Sequence, residues 1–442
     1  MKPYQDYKPS GVAWLGDVPH HWHLERLKFF ARFAGGGTPS KGEPSYWGGD
    51  IPWISPKDMK RPLIDESEDY ITATGQTNSP CTLIPPNSVL IVVRSGILQH
   101  TIPVALNTVT VTLNQDMRAL IPNDRVESRY LAYQINGCQK ELREEWVKQG
   151  ATVESIEHQR MVDSRMAVPP LAEQQAIADY LDSETARIDE LIYEKDELIT
   201  LLREWRRTVI ADFTAGVSHP GEKKPTGNIH LPKIPADWAM VRLGKYARIG
   251  NGSTPLKDNI GYWDGGTFPW LNSAVVNQNE VQEGSEYVTE HALQACHLPI
   301  VEPKSLLIAL TGQGKTRGQV AILRIRATIN QHLAYLDLDS EHFNEDYLFW
   351  TMTGMYGALR MVSDGQGGTK GALTCDDLSR FEVPKPPLDE QKKIASRLYV
   401  EAAKIDDLIA HTKDEITLLK ELRAATIADA VLGRVDVRTV KQ

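Results

Sequence analysis

The sequence predicts an α+β protein with two tandem pseudo-symmetric globular domains, each followed by a long helix. The two helices are predicted to pair as an antiparallel coiled coil. Three observations carry this prediction: the chain repeats itself at an offset of 216 or 217 residues, each copy opens with a loop-rich block of short strands, and each copy closes with a long segment free of proline and glycine. At 442 residues, each copy is long enough to bury a core of its own.

The internal repeat consists of unlike motifs that keep their order in both halves. They are Pro19 and Trp22 against Pro235 and Trp238, Thr38-Pro39 against Thr254-Pro255, Tyr46-Trp47 against Tyr262-Trp263, Asn114-Gln115 against Asn330-Gln331, Gly150 and Thr152 against Gly367 and Thr369, and Pro169-Pro170-Leu171 with Glu173-Gln174 against Pro386-Pro387-Leu388 with Glu390-Gln391. This period is too long for a solenoid unit of roughly 20 to 50 residues. A domain has therefore been duplicated, and we expect the same module to act at two places.

The first block of each copy, residues 1–170 and 218–387, mixes strands with helices. Short β-branched runs bounded by Gly, Pro and Asn predict strands at 89–93 and 306–310, and alternation predicts another at 107–113. Helices are expected near 128–136 and 344–355. The four tryptophans Trp47, Trp53, Trp263 and Trp270 are predicted to be core residues rather than stacking platforms.

The closing segments, residues 171–217 and 388–434, have the pattern of long helices. Proline and glycine are absent until Gly216 and Gly433, which stand where helices commonly end. Apolar residues recur at spacings of three and four: Ile177, Leu181, Ile188, Leu191, Leu198, Leu202, Trp205 and Val209, then Ile394, Leu398, Ile405, Leu408, Leu419 and Leu422. Ile192, Ile199, Ile409 and Ile416 widen this heptad-like seam. A helix of about 45 residues is about 65 Å long and cannot bury its own stripe. Its duplicate is the expected antiparallel partner, and packing onto its own block is the alternative.

Composition sets further bounds on the class of protein. The net charge of −9 is concentrated in the helical segments: 172–216 holds 11 acidic and 5 basic side chains, and 389–433 holds 9 and 7. The blocks are close to neutral, so the total charge does not exclude a nucleic-acid partner, because screening makes local patches decisive. Four cysteines without metal spacing indicate reduced thiols in a cytoplasmic protein. No apolar run is long enough to span a membrane.

Two apparent motifs do not support catalysis or metal binding. Residues 309–316 fit a relaxed phosphate-loop pattern, but the following residues predict a strand, whereas a phosphate loop needs a helix there. A hairpin tip carrying Lys315 and Arg317 is predicted instead. His20, His21 and His23 have no further His or Cys at ligand spacing and are predicted to be surface residues. No nucleophile elbow or zinc-protease motif is present, so a non-catalytic role is expected.

Polar and basic loop tips occur at equivalent places in the two blocks. They are Arg94, Ser95, Gln99 and His100 in the first block, and Thr311, Gln313, Lys315 and Arg317 in the second. Such side chains can contact phosphates or the edges of bases in a DNA groove. The tips differ while the surrounding frame is kept, which favours two half-sites read by one framework. Ordinary solvated hairpins remain the alternative.

The shared frame resembles the DNA-specificity subunit of a type I restriction-modification system over nearly the whole chain. The residues that carry the resemblance are Lys8-Pro9-Ser10-Gly11, Trp14-Leu15-Gly16, Pro19 and Trp22, Gly37-Thr38-Pro39, Asn114-Gln115, Gly150 and Thr152, and Pro169-Pro170-Leu171 with Glu173-Gln174. The second copy has Ser253 in place of Gly37. The resemblance implies two target-recognition domains (1–170 and 218–387) and two conserved helices (171–217 and 388–434). The helices would act as a ruler over a bipartite site in double-stranded DNA. Because such domains vary freely, the recognised sequence cannot be carried over.

The resemblance also implies partners and a division of labour. The family binds two methyltransferase subunits, which carry the S-adenosylmethionine site, and restriction/translocase subunits driven by ATP. S-adenosylmethionine, ATP and Mg are accordingly expected in partner subunits, and no cofactor or metal is expected in this chain. Two other classes stay open on the residues alone: a coiled-coil scaffold without DNA specificity, and an NTP-dependent enzyme using the 309–316 loop.

Overall fold

A computed structural model describes residues 2–148, 153–312, 314–364 and 371–439. The repeated Gly150/Thr152 and Gly367/Thr369 motifs and the candidate Gln313 lie outside the described residues. The chain forms two compact units, of which the first is discontinuous in sequence and the second is continuous. The first unit comprises Met1–Lys195 and Asp414–Gln442, and the second comprises Asp196–Lys413. Each unit thus takes one globular block and about half of each long helix.

Among its described residues, the first unit contains the strands β1 to β12 and, before the long helix, four short α-helices. Its strands are β1 (Tyr7–Pro9), β2 (Asp17–Pro19), β3 (His23–Arg26), β4 (Ala31–Gly35), β5 (Trp47–Ile54), β6 (Leu63–Ile64), β7 (Asp69–Ile71), β8 (Val89–Val92), β9 (Val104–Asn107), β10 (Thr112–Leu113), β11 (Met117–Pro122) and β12 (Arg165–Val168). Its short helices are α1 (Ala73–Thr77), α2 (Ser128–Gly137), α3 (Gln139–Trp146) and α4 (His158–Asp163), and α5 (Leu171–Thr214) follows.

The second unit repeats this succession of elements. Its strands are β13 (Lys223–Asn228), β14 (Leu231–Pro235), β15 (Ala239–Arg242), β16 (Ala247–Asn251), β17 (Phe268–Leu271), β18 (Glu280–Val281), β19 (Glu286–Val288), β20 (Leu306–Ala309), β21 (Val320–Leu323), β22 (Thr328–Ile329), β23 (Leu333–Leu338) and β24 (Glu382–Lys385). Its helices are α6 (Glu290–Ala295), α7 (Glu345–Gly354), α8 (Tyr356–Asp364) and α9 (Cys375–Arg380), followed by α10 (Leu388–Val431).

The sheet orders of the two units correspond strand by strand. A five-stranded sheet has the order β4-β11-β8-β9-β6 in the first unit and β16-β23-β20-β21-β18 in the second. A three-stranded sheet has the order β10-β5-β7 in the first and β22-β17-β19 in the second. Strands β3 and β12, and likewise β15 and β24, pair the start of each block with its end. The predicted duplication and α+β class are confirmed.

Most predicted elements are present, but one strand is wrong. The strands predicted at 89–93 and 306–310 and the helices predicted near 128–136 and 344–355 match β8, β20, α2 and α7 within one or two residues. The continuous strand predicted over 107–113 does not form, because Asn107 ends β9, and pairing resumes only with the isolated bridge of Val111 to Ile84 and with Thr112–Leu113. The Asn107 amide donates to the Pro85 and Val109 carbonyls, 2.7 and 2.8 Å away. Such side-chain bonds to the main chain stabilise a turn in place of an extended ladder.

The long helices α5 and α10 each contain 44 residues. Each begins after a proline pair, where a buried glutamine bonds back: Gln174 donates to Pro169 O at 2.7 Å, and Gln391 donates to Pro386 O at 2.9 Å. Each is followed by a glycine with positive φ, Gly216 or Gly433. A side chain there would be strained, which explains why glycine stands at both helix ends.

Segments of α5 and α10 pair antiparallel within each unit. In the first unit, Arg423 forms a bidentate pair with Asp189 at 2.8 and 3.1 Å, and Lys195 lies 2.7 Å from Glu415. In the second unit, Arg206 holds Asp406 at 2.9 and 3.0 Å. The helix segments also join the core of the adjoining block, for example through Gln174, which bonds to Arg125 O. The predicted coiled coil is confirmed. The helices also pack onto the globular blocks, so both arrangements that the sequence allows are present together.

The buried stripe of the long helices differs in part from the predicted seam. Four residues predicted to lie in it are exposed: Leu198, Trp205, Leu408 and Leu422. The buried apolar residues along this part of the helices include Ile199, Leu202, Ile409 and Ile416, as the sequence predicts for the seam and its widened edge. The helix period of 3.6 residues drifts away from a strict heptad, so a stripe read from one end is displaced farther along. Apolar side chains are consequently left on the outer surface.

Candidate nucleic-acid interface

A hydrogen-bonded threonine–glutamine pair occupies the same position in both units. Thr38 Oγ1 donates to Gln115 Oε1, and Thr254 Oγ1 donates to Gln331 Oε1, both at 2.5 Å. The threonines are half-buried and the glutamines are exposed. We call each of these a Thr–Gln pair. Their 77-residue separation is the same in both units.

Buried tryptophans hold the turn that carries each threonine. Trp53 donates from its indole to Gly37 O at 2.8 Å, and Trp270 donates to Ser253 O at 3.2 Å. Both rings are nearly buried, at 6% and 3% exposure, and each meets a partly buried partner ring edge-on, 5.2 Å from Trp47 and 5.3 Å from Trp263. The predicted core role is confirmed for Trp53 and Trp270, whereas Trp47 and Trp263 are partly buried and pack against that core. Trp53 and Trp270 also fix the position of the Thr–Gln pair.

A second polar pair lies beside each Thr–Gln pair, and its residues differ between the units. In the first unit, Arg94 Nε donates to Asp116 Oδ1 at 2.6 Å, while 56% of the arginine side chain is exposed. In the second unit, the corresponding residues are Thr311 and His332, whose Oγ1 and Nδ1 atoms lie 2.9 Å apart. The Thr–Gln pair is therefore common to both units, whereas the polar side chains next to it differ between them. We call these the variable pairs.

The remaining first-unit candidates surround a tight turn. Ser95 Oγ accepts from Ile97 N at 3.4 Å and caps the 3-10 turn Gly96–Gln99. Arg143 donates to the main-chain carbonyls of Gln99 and His100. The Gln99 and His100 side chains stay exposed on this held loop. Ser95 thus has a local structural role, whereas Gln99 and His100 are free to face a ligand.

The second-unit candidates lie on the hairpin between β20 and β21. Lys315 is exposed, and its carbonyl accepts from Tyr356 Oη at 2.9 Å. Arg317 is only 5% exposed, so it is not at the accessible tip where the sequence places it. Strand β21 follows the Gly-Lys-Thr residues, and the hairpin prediction is confirmed. Without a helix N-terminus at this point, the loop lacks the anion-binding geometry of a phosphate loop.

A buried glutamate organises the start of α5; the sequence marks it as part of the repeated motif but does not indicate its hydrogen-bond partners. Glu173 is 3% exposed and accepts from Tyr4 Oη at 2.7 Å and from Trp22 Nε1 at 3.0 Å. Its second oxygen lies 2.7 Å from His21 Nε2. Burial, and then the Glu173 carboxylate, raise the pKa of Tyr4 well above its ordinary value. His20, His21 and His23 are exposed, as predicted.

Comparison with known proteins identifies the family to which this frame belongs. The profile of the family described as "Type I restriction modification DNA specificity domain" matches residues 19–201 and 235–418. The chain belongs to this family. It is a DNA-specificity subunit with two copies of the specificity domain, and such subunits are non-catalytic.

Individual relatives agree with this assignment along the length of the chain. The chain is 26% identical over 430 residues to the Type I restriction enzyme MjaIX specificity subunit of Methanocaldococcus jannaschii, covering 96% of this chain and 95% of that protein. It is 41% identical over 213 residues to the EcoR124I/EcoR124II specificity subunit of Escherichia coli, covering 47% of this chain and 50% of that protein.

A solved structure supports the same fold. The matching chain comes from a structure that concerns complex assembly and conformational transition of the type I R-M system. It has a TM-score of 0.73 at 18% identity, with 95% of this specificity subunit and 99% of that chain covered. Among the described residues, no helix combines the length and apolar character needed to cross a bilayer. All four cysteines carry free thiols.

Proposed function

We propose that each unit of this specificity subunit reads one half of a bipartite site in double-stranded DNA. The reading surface would comprise the Thr–Gln pair and the variable pair beside it. One observation carries the proposal: an identical hydrogen-bonded frame in both units is flanked by Arg94–Asp116 in the first and by Thr311–His332 in the second. A constant frame with different neighbours suits two half-sites of different sequence.

The chemistry of the frame suits contact with DNA. Because Oε1 of Gln115 accepts from Thr38, its amide NH₂ is directed away from the threonine and can donate to a base edge or a phosphate. Gln331 has the same arrangement with Thr254. Glutamine and threonine both take part in base and backbone contacts. The pair can therefore act in the same way on two different half-sites.

The variable pair supplies the difference between half-sites. Arg94 presents an exposed guanidinium whose orientation is held by Asp116. Arginine donating to guanine O6 and N7 is the commonest specific contact in the major groove. The side chains of Thr311 and His332 are shorter than that of Arg94, and they offer both hydrogen-bond donors and acceptors. We propose that the first half-site includes a guanine read by Arg94, and that the second is read differently at the equivalent position.

The Arg94→Ala variant tests the reading surface directly. Loss of a bidentate base contact costs about 1–3 kcal/mol, so binding to the intact site should weaken about 10- to 100-fold. Discrimination should relax at one position of the first half-site only. Competition binding with single-base variants of the DNA measures both effects. Arg61→Ala is the matched control, because Arg61 is an exposed arginine paired with Asp65 and Glu66 in the same unit. Equal relaxation in both half-sites would contradict the assignment.

Lys315→Ala tests the hairpin of the second unit. A lysine that contacts phosphate should contribute equally to the affinity for every DNA sequence, so its loss should weaken binding uniformly. The slope of the logarithm of the binding constant against the logarithm of the salt concentration should fall by about one. Binding measured across a series of salt concentrations gives this slope. Lys304→Ala is the control, because Lys304 is an exposed lysine 3.7 Å from Glu345 in the same unit. An unchanged slope for Lys315→Ala would remove the hairpin from the DNA surface.

The length and pairing of the two long helices support a ruler function. We infer that domains 1–170 and 218–387 contact the DNA, and that helices 171–217 and 388–434 set the gap between half-sites. Each helix of 44 residues is about 65 Å long. Because one turn of DNA is about 34–36 Å, such a site would extend over no more than about two turns.

Exposed apolar side chains at equivalent positions support docking of two partner copies. In the second unit, Leu201 and Trp205 on α5 are 60% and 51% exposed; in the first unit, Leu418 and Leu422 on α10 are 63% and 49% exposed. Residues four apart lie on one helix face, so each pair forms a small apolar patch. We propose that each patch docks one methyltransferase subunit.

The same proposal assigns chemistry to the partners. We infer that S-adenosylmethionine is bound by the methyltransferase subunits. ATP and Mg would be bound by restriction/translocase subunits of the same assembly. Membership in the specificity family and the free thiols support a cytoplasmic assembly of this kind. The specificity subunit itself contributes DNA recognition and spacing.

A further inference from the structure

The polar cluster around the first turn of α10 differs chemically from the equivalent cluster around the first turn of α5. We call each of these clusters a helix joint. In each unit, a glutamate in the first helical turn accepts from a tryptophan indole. Glu173 accepts from Trp22 at 3.0 Å, and Glu390 accepts from Trp238 at 3.1 Å. These two glutamates occupy the same place in the repeat, so the groups around them can be compared position by position.

In the first unit, an arginine offsets part of the negative charge of the carboxylates at the joint. Arg438 binds Asp436 at 2.8 and 2.9 Å and reaches Glu173 at 3.4 Å, and its guanidinium lies over the Tyr4 ring. Burying carboxylates costs free energy unless cations or hydrogen-bond donors compensate for the lost hydration. Arg438 supplies the compensating charge.

The second unit lacks this arginine. In the register of the repeat, Gly221 stands at the position of Arg438, His219 at that of Asp436, and Asp237 at that of His21. His219 Nε2 lies 3.0 Å from Glu390 Oε1 and 3.9 Å from Asp237 Oδ2. Two carboxylates therefore face one imidazole where the first unit has a guanidinium.

A pocket of about 220 Å³ opens beside this cluster. Lys393 and Arg397 also line it, and the Arg397 guanidinium lies 4.9 Å from the Phe213 ring. Among the described residues, neither of these two cations makes an ion pair with Glu390 or Asp237. The pocket gives solvent access to the Glu390 carboxylate and the His219 imidazole, which both line it.

We propose that His219, Asp237 and Glu390 bind a divalent transition-metal ion of the zinc type. Imidazole nitrogen and carboxylate oxygen are ligands that Zn²⁺ accepts. One ligand atom from each residue lies within 4.8 Å of the other two. Zinc bonds of about 2.1 Å in tetrahedral geometry place ligand atoms about 3.4 Å apart. The observed separations of 3.0 and 3.9 Å lie on either side of that value.

The surroundings orient the ligand atoms for this task. The Trp238 indole occupies Glu390 Oε2, which leaves Oε1 for the ion. Such outer hydrogen bonds commonly orient a ligating carboxylate. His219 Nε2 is the nitrogen that faces the carboxylates, and Nδ1 is buried without a hydrogen-bond partner among the described residues. A fourth position would remain for water from the pocket.

The bound ion would join three segments of the second unit. His219 follows the end of α5, Asp237 precedes β15, and Glu390 lies in the first turn of α10. In the first unit, Arg438 together with His21 and Glu173 makes the equivalent connection through side chains alone. The proposal therefore predicts metal-dependent stability for one joint of the protein and not for the other.

The test uses the full-length chain, treated with a chelator and then dialysed. Titration with Zn²⁺, followed calorimetrically, should show one site, and the ion should raise the Tm. Co²⁺ as a spectroscopic probe should give the visible absorption of a tetrahedral complex. His219→Ala and Asp237→Asn should each weaken Zn²⁺ binding at least tenfold and abolish the Co²⁺ spectrum.

A matched variant separates this site from adventitious binding. His411→Ala removes an exposed histidine on α10 and should leave the stoichiometry, the Tm increase and the spectrum unchanged. Asp237→Asn changes a largely exposed side chain, so it keeps the test valid if His219→Ala does not fold. The proposal is overturned if no Zn²⁺ binds, or if Zn²⁺ binds equally to the wild-type chain and to Asp237→Asn.

Discussion

Removal of one heptad from each long helix is expected to shorten the preferred gap between half-sites by about three base pairs. The deletions are residues 194–200 of α5 and 411–417 of α10, which are equivalent in the repeat. Seven residues account for about 10.5 Å of helix, and base pairs are about 3.4 Å apart. A whole heptad keeps the apolar seam in phase. The ion pairs Asp189–Arg423 and Arg206–Asp406 lie outside the deletions.

The gap is measured by sequencing methylated adenines in cells that carry the complete system. Both half-sites should keep their sequence, because the globular blocks are untouched. The control exchanges the two heptads between the helices, which alters local sequence and leaves helix length unchanged. The exchanged protein should retain the original gap. An unaltered gap after the double deletion would refute the ruler function.

Conversion of the two apolar patches to acidic ones should abolish assembly with the methyltransferase. Leu201→Asp and Leu418→Asp place a charge where each patch would be covered, and an unpaired buried charge is costly. Interface residues of this kind contribute 2 kcal/mol or more, so each change should weaken docking roughly 30-fold or more. Because both leucines are more than half exposed, the fold should be preserved.

Stoichiometry distinguishes docking from a general loss of stability. Each single variant should retain one methyltransferase copy, and the double variant should retain none, as measured by native mass spectrometry. Tyr193→Asp is the control: Tyr193 is 66% exposed on α5, but its equivalent is Ala410, so it is not part of a duplicated patch. Full binding of two copies by the double variant would place the partner elsewhere.

The duplication, the class of fold and the bounds of the long helices could be predicted from the sequence. These features depend on residues that are close in the chain or repeated along it. Proline pairs mark the starts at Leu171 and Leu388, and Gly216 and Gly433 mark the ends. Helical periodicity reflects main-chain hydrogen bonds between residues four apart, so a local pattern is sufficient to predict it.

The candidate site could be predicted only in part. The sequence indicates Arg94 and Thr311, but it does not indicate their partners Asp116 and His332. It predicts Arg317 at a loop tip, whereas the structure buries this side chain. Whether a loop side chain points outward depends on the packing beneath the loop, and no local pattern reports that packing.

The sequence by itself determined the two repeated domains, their long helices and the family to which the chain belongs. Only the tertiary structure decided which polar groups meet. Thr38 and Gln115 are 77 residues apart, and His219, Asp237 and Glu390 lie in three separate segments. Strand order and helix packing bring the first two residues into a hydrogen bond and the ligand atoms of the other three within 4.8 Å of one another. Such contacts depend on the whole hydrophobic core rather than on neighbouring residues, so they cannot be deduced from spacing along the chain.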